Sequence, residues 1–162
     1  MSKTFIDPSI RSMGVAYWYG DDFINKQSPC SVHLIETKDL KLNWQERCRM
    51  QVVELEKKLR FDYTSRIYCE APIFMEGFRG ITAARSGAIM KLIYLVGMID
   101  QMVMTKFNTG LSLIPISKWK GQLPKSVVRD RIIRLLGKTA CREYKKDIWD
   151  AVGMGLWKMG VL

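Results

Sequence analysis

Apolar residues recur along this chain with two periods, and the change from one to the other marks its elements. Lys3 to Asp7 is a short apolar run that ends at Pro8-Ser9, a turn pair. Met13 to Tyr19 is a second run, rich in aromatics and β-branched valine, and Gly20-Asp21-Asp22 breaks it. Ser31 to Thr37 alternates apolar and polar, the period of a half-buried strand. Three such runs in succession predict an antiparallel meander. The period then lengthens. Trp44, Cys48, Val52, Leu55 and Leu59 lie on one helical face, and Asn43 followed by Glu46 is a capping pair. Arg66 to Glu70 is a fourth strand, stopped by Pro72. A long helix is predicted from about Thr82 to Lys106, where the small residues Ala83, Ala84, Ser86, Gly87 and Ala88 permit close packing on a sheet. Leu111 to Ile116 is a fifth strand. Pro124 begins a helix that Gly137 ends, and a last helix covers about Lys146 to Met159.

The predicted order is β-β-β-α-β-α-β-α-α. A three-stranded meander followed by βαβ units is an α/β fold, a five-stranded mixed sheet flanked by helices. No linker interrupts residues 1–162, so one domain is expected.

Charge narrows the function. Lys and Arg number 26 against 16 Asp and Glu, a net charge of +10. A domain this basic commonly meets a polyanion, because each neutralised phosphate releases condensed counterions. A basic surface kept for solubility is the plainer explanation. Of the four cysteines no two have C-x-x-C spacing, and a single histidine, His33, does not complete a zinc site. Free thiols in a reducing, cytoplasmic compartment are expected. The longest apolar stretch, Leu92 to Ile99, is short of the roughly 20 residues that span a bilayer, so no membrane partner is expected.

Four acids are candidates for chemistry. Asp7 and Glu70 each end an apolar strand, the place where open α/β sheets gather ligands. If those strands are neighbours, the two carboxylates lie side by side and repel, and a divalent cation relieves that repulsion. Asp147 and Asp150, three apart, share a helix face. Gly153 and Gly155 each cost that helix about 1 kcal/mol against alanine, which close approach to the sheet would justify. Oxygen donors without histidine or thiolate suit Mg2+, with Mn2+ as a substitute, and two such ions can activate water and stabilise a leaving oxygen in phosphodiester hydrolysis. Simpler roles exist: Asp7 as a turn former, and Asp147 and Asp150 as charges favoured at a helix N-terminus.

Between Ser117 and Lys125 the chain reads SKWKGQLPK. Lys118, Lys120 and Lys125 around Trp119 suit a phosphate backbone with a base stacked nearby. The alternative is a solvated loop with Trp119 in the core. The following helix adds Arg129, Arg131, Arg134 and Lys138.

In this order the segments resemble the RuvC-type Holliday junction resolvases of the ribonuclease-H-like superfamily. The resemblance rests on Phe5-Ile6-Asp7-Pro8-Ser9 with Met13-Gly14-Val15-Ala16, Cys69-Glu70 with Phe74 behind it, Thr82 to Ala88, Pro115 with Lys118 and Gly121 to Val127, and Asp147-Ile148-Trp149-Asp150-Ala151. It spans nearly the whole chain. It implies a ribonuclease-H-like fold, a homodimer, and paired magnesium-dependent incisions across four-way junctions, with three-way branches and flaps as further substrates. It makes Asp7, Glu70, Asp147 and Asp150 the metal-binding and catalytic acids, and Lys118 and Lys125 DNA-contacting or catalytic lysines. Ser9 stands where the family usually has glycine. An aromatic after the second acid probes the junction in the family, which implies Phe74, with Phe78 as its competitor. Lys118-Trp119-Lys120-Gly121 is more similar to the divergent bacteriophage branch than to the housekeeping enzyme. The alternatives are another nuclease of the same fold acting on RNA–DNA hybrids and a junction-binding protein without catalysis. An actin-like ATPase also opens on Ile-Asp and a meander, but carries a phosphate-loop glycine where Ser9 stands.

Overall fold

A computed structural model describes residues 2–20, 28–37, 41–59, 66–72 and 87–162. Five strands form one sheet: β1 (Lys3–Asp7), β2 (Ser12–Trp18), β3 (Ser31–Glu36), β4 (Arg66–Glu70) and β5 (Leu111–Ile114), in the order β3-β2-β1-β4-β5. β1, β2 and β3 pair antiparallel, and β4 and β5 join parallel. The meander and the mixed sheet therefore stand as the residue pattern predicts.

The helices divide between the two faces of the sheet. On one face lie α1 (Trp44–Lys58) and α2 (Ala88–Phe107). Ile6, Met13, Val15, Ile35, Ile67 and Cys69 pack against Cys48, Leu55, Leu95 and Ile99 there. Asn43 and Glu46 close the predicted capping box at the start of α1. On the other face lie α3 (Ile116–Trp119), α4 (Lys125–Leu136) and α5 (Ile148–Lys158). Phe5, Ala16, Trp18 and Tyr68 meet Val128, Ile132, Val152 and Met154 in this second core.

Several boundaries differ from the expectation, each for a local reason. β5 stops at Ile114 because Pro115 cannot continue the ladder; Ile116 opens the one-turn helix α3, within what reads in the sequence as a strand end and a loop. Pro124 occupies the cap of α4 rather than its first turn. α5 begins at Ile148, with Asp147 as its cap. Lys146 has a positive φ of 40°, and this left-handed kink turns the chain into α5. Residues 82–86, the predicted start of the long helix, lie outside the described residues, as do Phe74 and Phe78. Among the described residues α2 is long and apolar enough to cross a membrane, but one side of it packs on the sheet, as a core helix does.

Candidate active site

The face covered by α5 carries all four candidate acids. Phe5 and Tyr68 stack on this face with ring centroids 4.9 Å apart, and Asp7 and Glu70 follow them on the same side at the carboxyl ends of β1 and β4. The parallel register Ile6↔Cys69 makes Asp7 and Glu70 neighbours.

Glycine brings α5 down onto them. Gly14 sits opposite Asp7 on β2, and a Cβ there would lie 2.1 Å from the Asp147 carbonyl oxygen and 2.6 Å from the Ile148 nitrogen. The first turn of α5 thus rests directly on β2. One turn pair further on, a Cβ on Gly155 would meet the Trp18 ring at 2.3 Å, the sheet contact its position predicts. Gly153 does a different job, leaving the space that the ring of Trp119 fills, 2.7 Å from where a Cβ would stand.

Each acid on this face is held or charged by its surroundings. The Asp150 carboxylate, 4% exposed, takes Lys120 Nζ on Oδ1 at 3.0 Å and Lys125 Nζ on Oδ2 at 2.6 Å. Trp119 Nε1 donates to Glu70 Oε2 at 3.2 Å. The Ser12 hydroxyl donates a short hydrogen bond to Asp147 Oδ2. Burial pushes the Asp7 carboxyl well above the usual range, and the charges of Glu70, Asp150 and Asp147 push it further. Burial and the Asp150 charge push Glu70 up to about 7, against the Trp119 hydrogen bond and the charges of Lys120 and Lys125. Burial lowers the Lys125 ammonium, but its hydrogen bond to Asp150 and the surrounding acids outweigh this and raise it.

Carboxylate oxygens gathered at such electrostatic cost suit a hard divalent cation. Among the described residues no three acidic, histidine or cysteine side chains are close enough together to enclose one. Lys120 and Lys125 supply positive charge at Asp150 instead, while Ser12 and Trp119 occupy oxygens of Asp147 and Glu70. The donor set fits a cation; closing around it requires these donors to yield, and exposed Lys125 is the freest to move.

The basic segment is placed differently from its reading as a DNA-binding loop. Trp119 is 5% exposed and part of the core, so its rings offer no face to a base. Lys120 is 7% exposed with its charge committed to Asp150, so it holds an acid rather than a phosphate. Lys118 is exposed but lines a groove with Tyr68, Trp157 and Lys158, toward the far end of α5. Lys125 and Arg129 do flank the acids. They line a cleft of about 660 Å³ with Lys146, Asp147, Trp149 and Asp150, in which the Arg129 guanidinium lies 5.0 Å from the ring centre of half-buried Trp149. Trp149 is thus the aromatic that lines this cleft, whereas the loop reading offered Trp119 to a base. Its signal was its place between the two aspartates.

A mixed sheet of this order, with helices on both faces and acids at the ends of its two central parallel strands, is a ribonuclease-H-like fold. Within that class it is the RuvC fold. A structure of Thermus thermophilus RuvC in complex with a Holliday junction substrate superimposes with a TM-score of 0.64 at 17% identity, over 99% of this chain and 96% of that one. A second Thermus thermophilus RuvC structure gives 0.62 at 16% identity, over 99% and 98%. No protein-family model matches the sequence, and no curated protein matches it in sequence.

Proposed function

We propose that the chain is a divalent-metal-dependent endodeoxyribonuclease that cuts Holliday junctions and related branched DNA. The observation that carries this reading is the convergence of Asp7, Glu70, Asp147 and Asp150 on one sheet face, at an electrostatic cost that raises Asp7 and Glu70, beside a basic, aromatic-walled cleft. The neighbour solved with a Holliday junction shares this fold over 96% of its length. Asp7, Glu70, Asp147 and Asp150 would hold the metal, Mg2+ or Mn2+, which supplies an activated water and charge neutralisation at the phosphate. Lys125 and Arg129 hold the phosphates on either side, and Trp149 packs against the sugar–base edge in the cleft.

Symmetric cutting of a junction needs two active sites, and a twofold dimer provides them. The outer surfaces of α1 and α2 favour a second copy of the chain as the partner. Met50, Val53, Met90, Ile93 and Met104 are all exposed there, on a face far from the acids.

Asp7→Asn and Asp150→Asn test the catalytic role. Each should abolish cleavage of a four-way junction in Mg2+ while leaving binding intact or tighter, since a negative charge beside phosphates is lost. Undiminished cleavage by either variant would remove these acids from the site.

A further inference from the structure

A second basic concavity lies on the same face as the acids. Lys3 and Arg66 are direct cross-strand partners at the starts of β1 and β4. Like charges so placed destabilise a sheet. Lys158, near the end of α5, adds a third cation above them, its ammonium 5.4 Å from the ring centre of Tyr68 and 5.8 Å from that of Trp157. Arg66, Lys158 and exposed Lys118 line a groove of about 300 Å³ together with Tyr68 and Trp157, and among the described residues no acid lines it. The crowding registers on Lys3, whose ammonium is lowered by burial and then by Lys158 and Arg66.

Two paths lead from the acids to this groove. Along α5, Asp150 to Lys158 is eight residues, about 12 Å at 1.5 Å each. Along β4, Glu70 to Arg66 is four residues, about 13 Å. Both paths run in the same direction over one face. Successive phosphates of a duplex strand rise about 3.4 Å along the axis but also turn around it, so they lie about 6–7 Å apart through space, and 12–13 Å is roughly two nucleotides of one strand. The rings serve the lysine rather than a base: Tyr68 is buried, and Lys158 lies over Trp157. A phosphate backbone fits such a place, and an unstacked base does not.

We propose that Arg66, Lys118 and Lys158 form a second phosphate-binding site, which grips the duplex arm of the substrate about two nucleotides from the cleaved bond. The inference rests on the reading of the chain as a DNA nuclease. Cations fixed at this distance set the direction in which an arm leaves the acids, and so select substrates whose arms diverge at a branch.

The test is the salt dependence of binding to a four-way junction in EDTA, with the full chain. Each phosphate contact contributes about 0.9 to the slope of log K against log salt, so Arg66→Ala/Lys158→Ala should lower the slope by about 1.8. Lys57→Ala/Lys58→Ala, two exposed lysines at the end of α1 on the opposite side of the sheet, should leave it unchanged. Neutral methylphosphonates placed along one strand should weaken wild-type binding at a position about two nucleotides from the cut, and weaken the groove variant no further there. An unchanged slope in the groove variant, an equal drop in the α1 variant, or no such position in the strand would overturn the proposal. Circular dichroism confirms that each variant is folded. Because binding is read without metal, failure here is distinct from failure of the nuclease reading, which would show as a wild-type chain that cuts no DNA in Mg2+.

Discussion

Gly14→Ala is a one-methyl change with a calculable cost. The added Cβ would stand 2.1 Å from the Asp147 carbonyl oxygen, 2.2 Å from its carbon and 2.6 Å from the Ile148 nitrogen. Ordinary contact lies near 3.5–4 Å, so the backbone of α5 must retreat by an ångström or more. No flexible side chain can yield in its place. Overpacking typically costs about 1–3 kcal/mol, and an obstacle made of backbone puts this case at the top of that range, near 3 kcal/mol. For a chain of this size that is a fall in melting temperature of about 6–12 °C. The retreat also carries Asp147 and Asp150 away from Asp7 and Glu70, so cleavage should fall by more than the loss of folded protein explains. Gly110→Ala is the control. It lies exposed just before β5, its Cβ would meet only the flexible Met104 Sδ at an ordinary 3.9 Å, and the substitution there should change stability by no more than about 0.5 kcal/mol. Thermal denaturation of both variants, with junction cleavage at a temperature where both are folded, is the assay. A Gly14→Ala protein as stable and as active as wild type would refute the seating of α5 on β2.

Two further outcomes follow from charge and surface. The Glu70 carboxyl stands near pH 7 in the folded protein, above its ordinary 4.5. An acid raised on folding binds more protons in the native state, so its stabilising contribution is complete below about 4.5 and is lost as pH rises to 7. The metal-free protein should therefore melt at lower temperature as pH rises through this window, by up to about 3 kcal/mol from Glu70 and more from Asp7, whose shift has the same sign. Glu70→Gln should flatten the profile measured in EDTA, and a profile equally steep in that variant would show that other groups control it. Sedimentation at micromolar concentration should show a dimer, and Ile93→Glu on the exposed face of α2 should give a folded monomer; a wild-type monomer would overturn the assembly.

The sheet was legible because its strands are short runs with unambiguous ends: Pro8 after Asp7, Pro72 after Glu70, and alternation in Ser31 to Glu36. The placement of Asp7 and Glu70 at neighbouring strand ends was legible for the same reason, and a carboxylate there is costly unless it is paired. The basic segment was read incorrectly in part. Lysines around a tryptophan look alike whether they face solvent or fold back, and only the placement of α3 shows that Trp119 and Lys120 turn inward to hold Glu70 and Asp150. Gly14 was visible as a glycine within an apolar strand, a sign of close backbone approach, but nothing local names the approaching chain, which lies more than 130 residues away. Ser12 and Lys146 are ordinary residues whose roles come wholly from tertiary placement.

The central claim is tested most directly by comparing a four-way junction, a linear duplex and an RNA–DNA hybrid of matched sequence, incubated with the wild-type chain in Mg2+ at a salt concentration that suppresses nonspecific phosphate binding. The account predicts that the junction is cut fastest and in symmetric pairs, with three-way branches and flaps cut more slowly and linear duplex nearly spared. A hybrid cut fastest of the three would contradict it and make the chain a ribonuclease of the same fold.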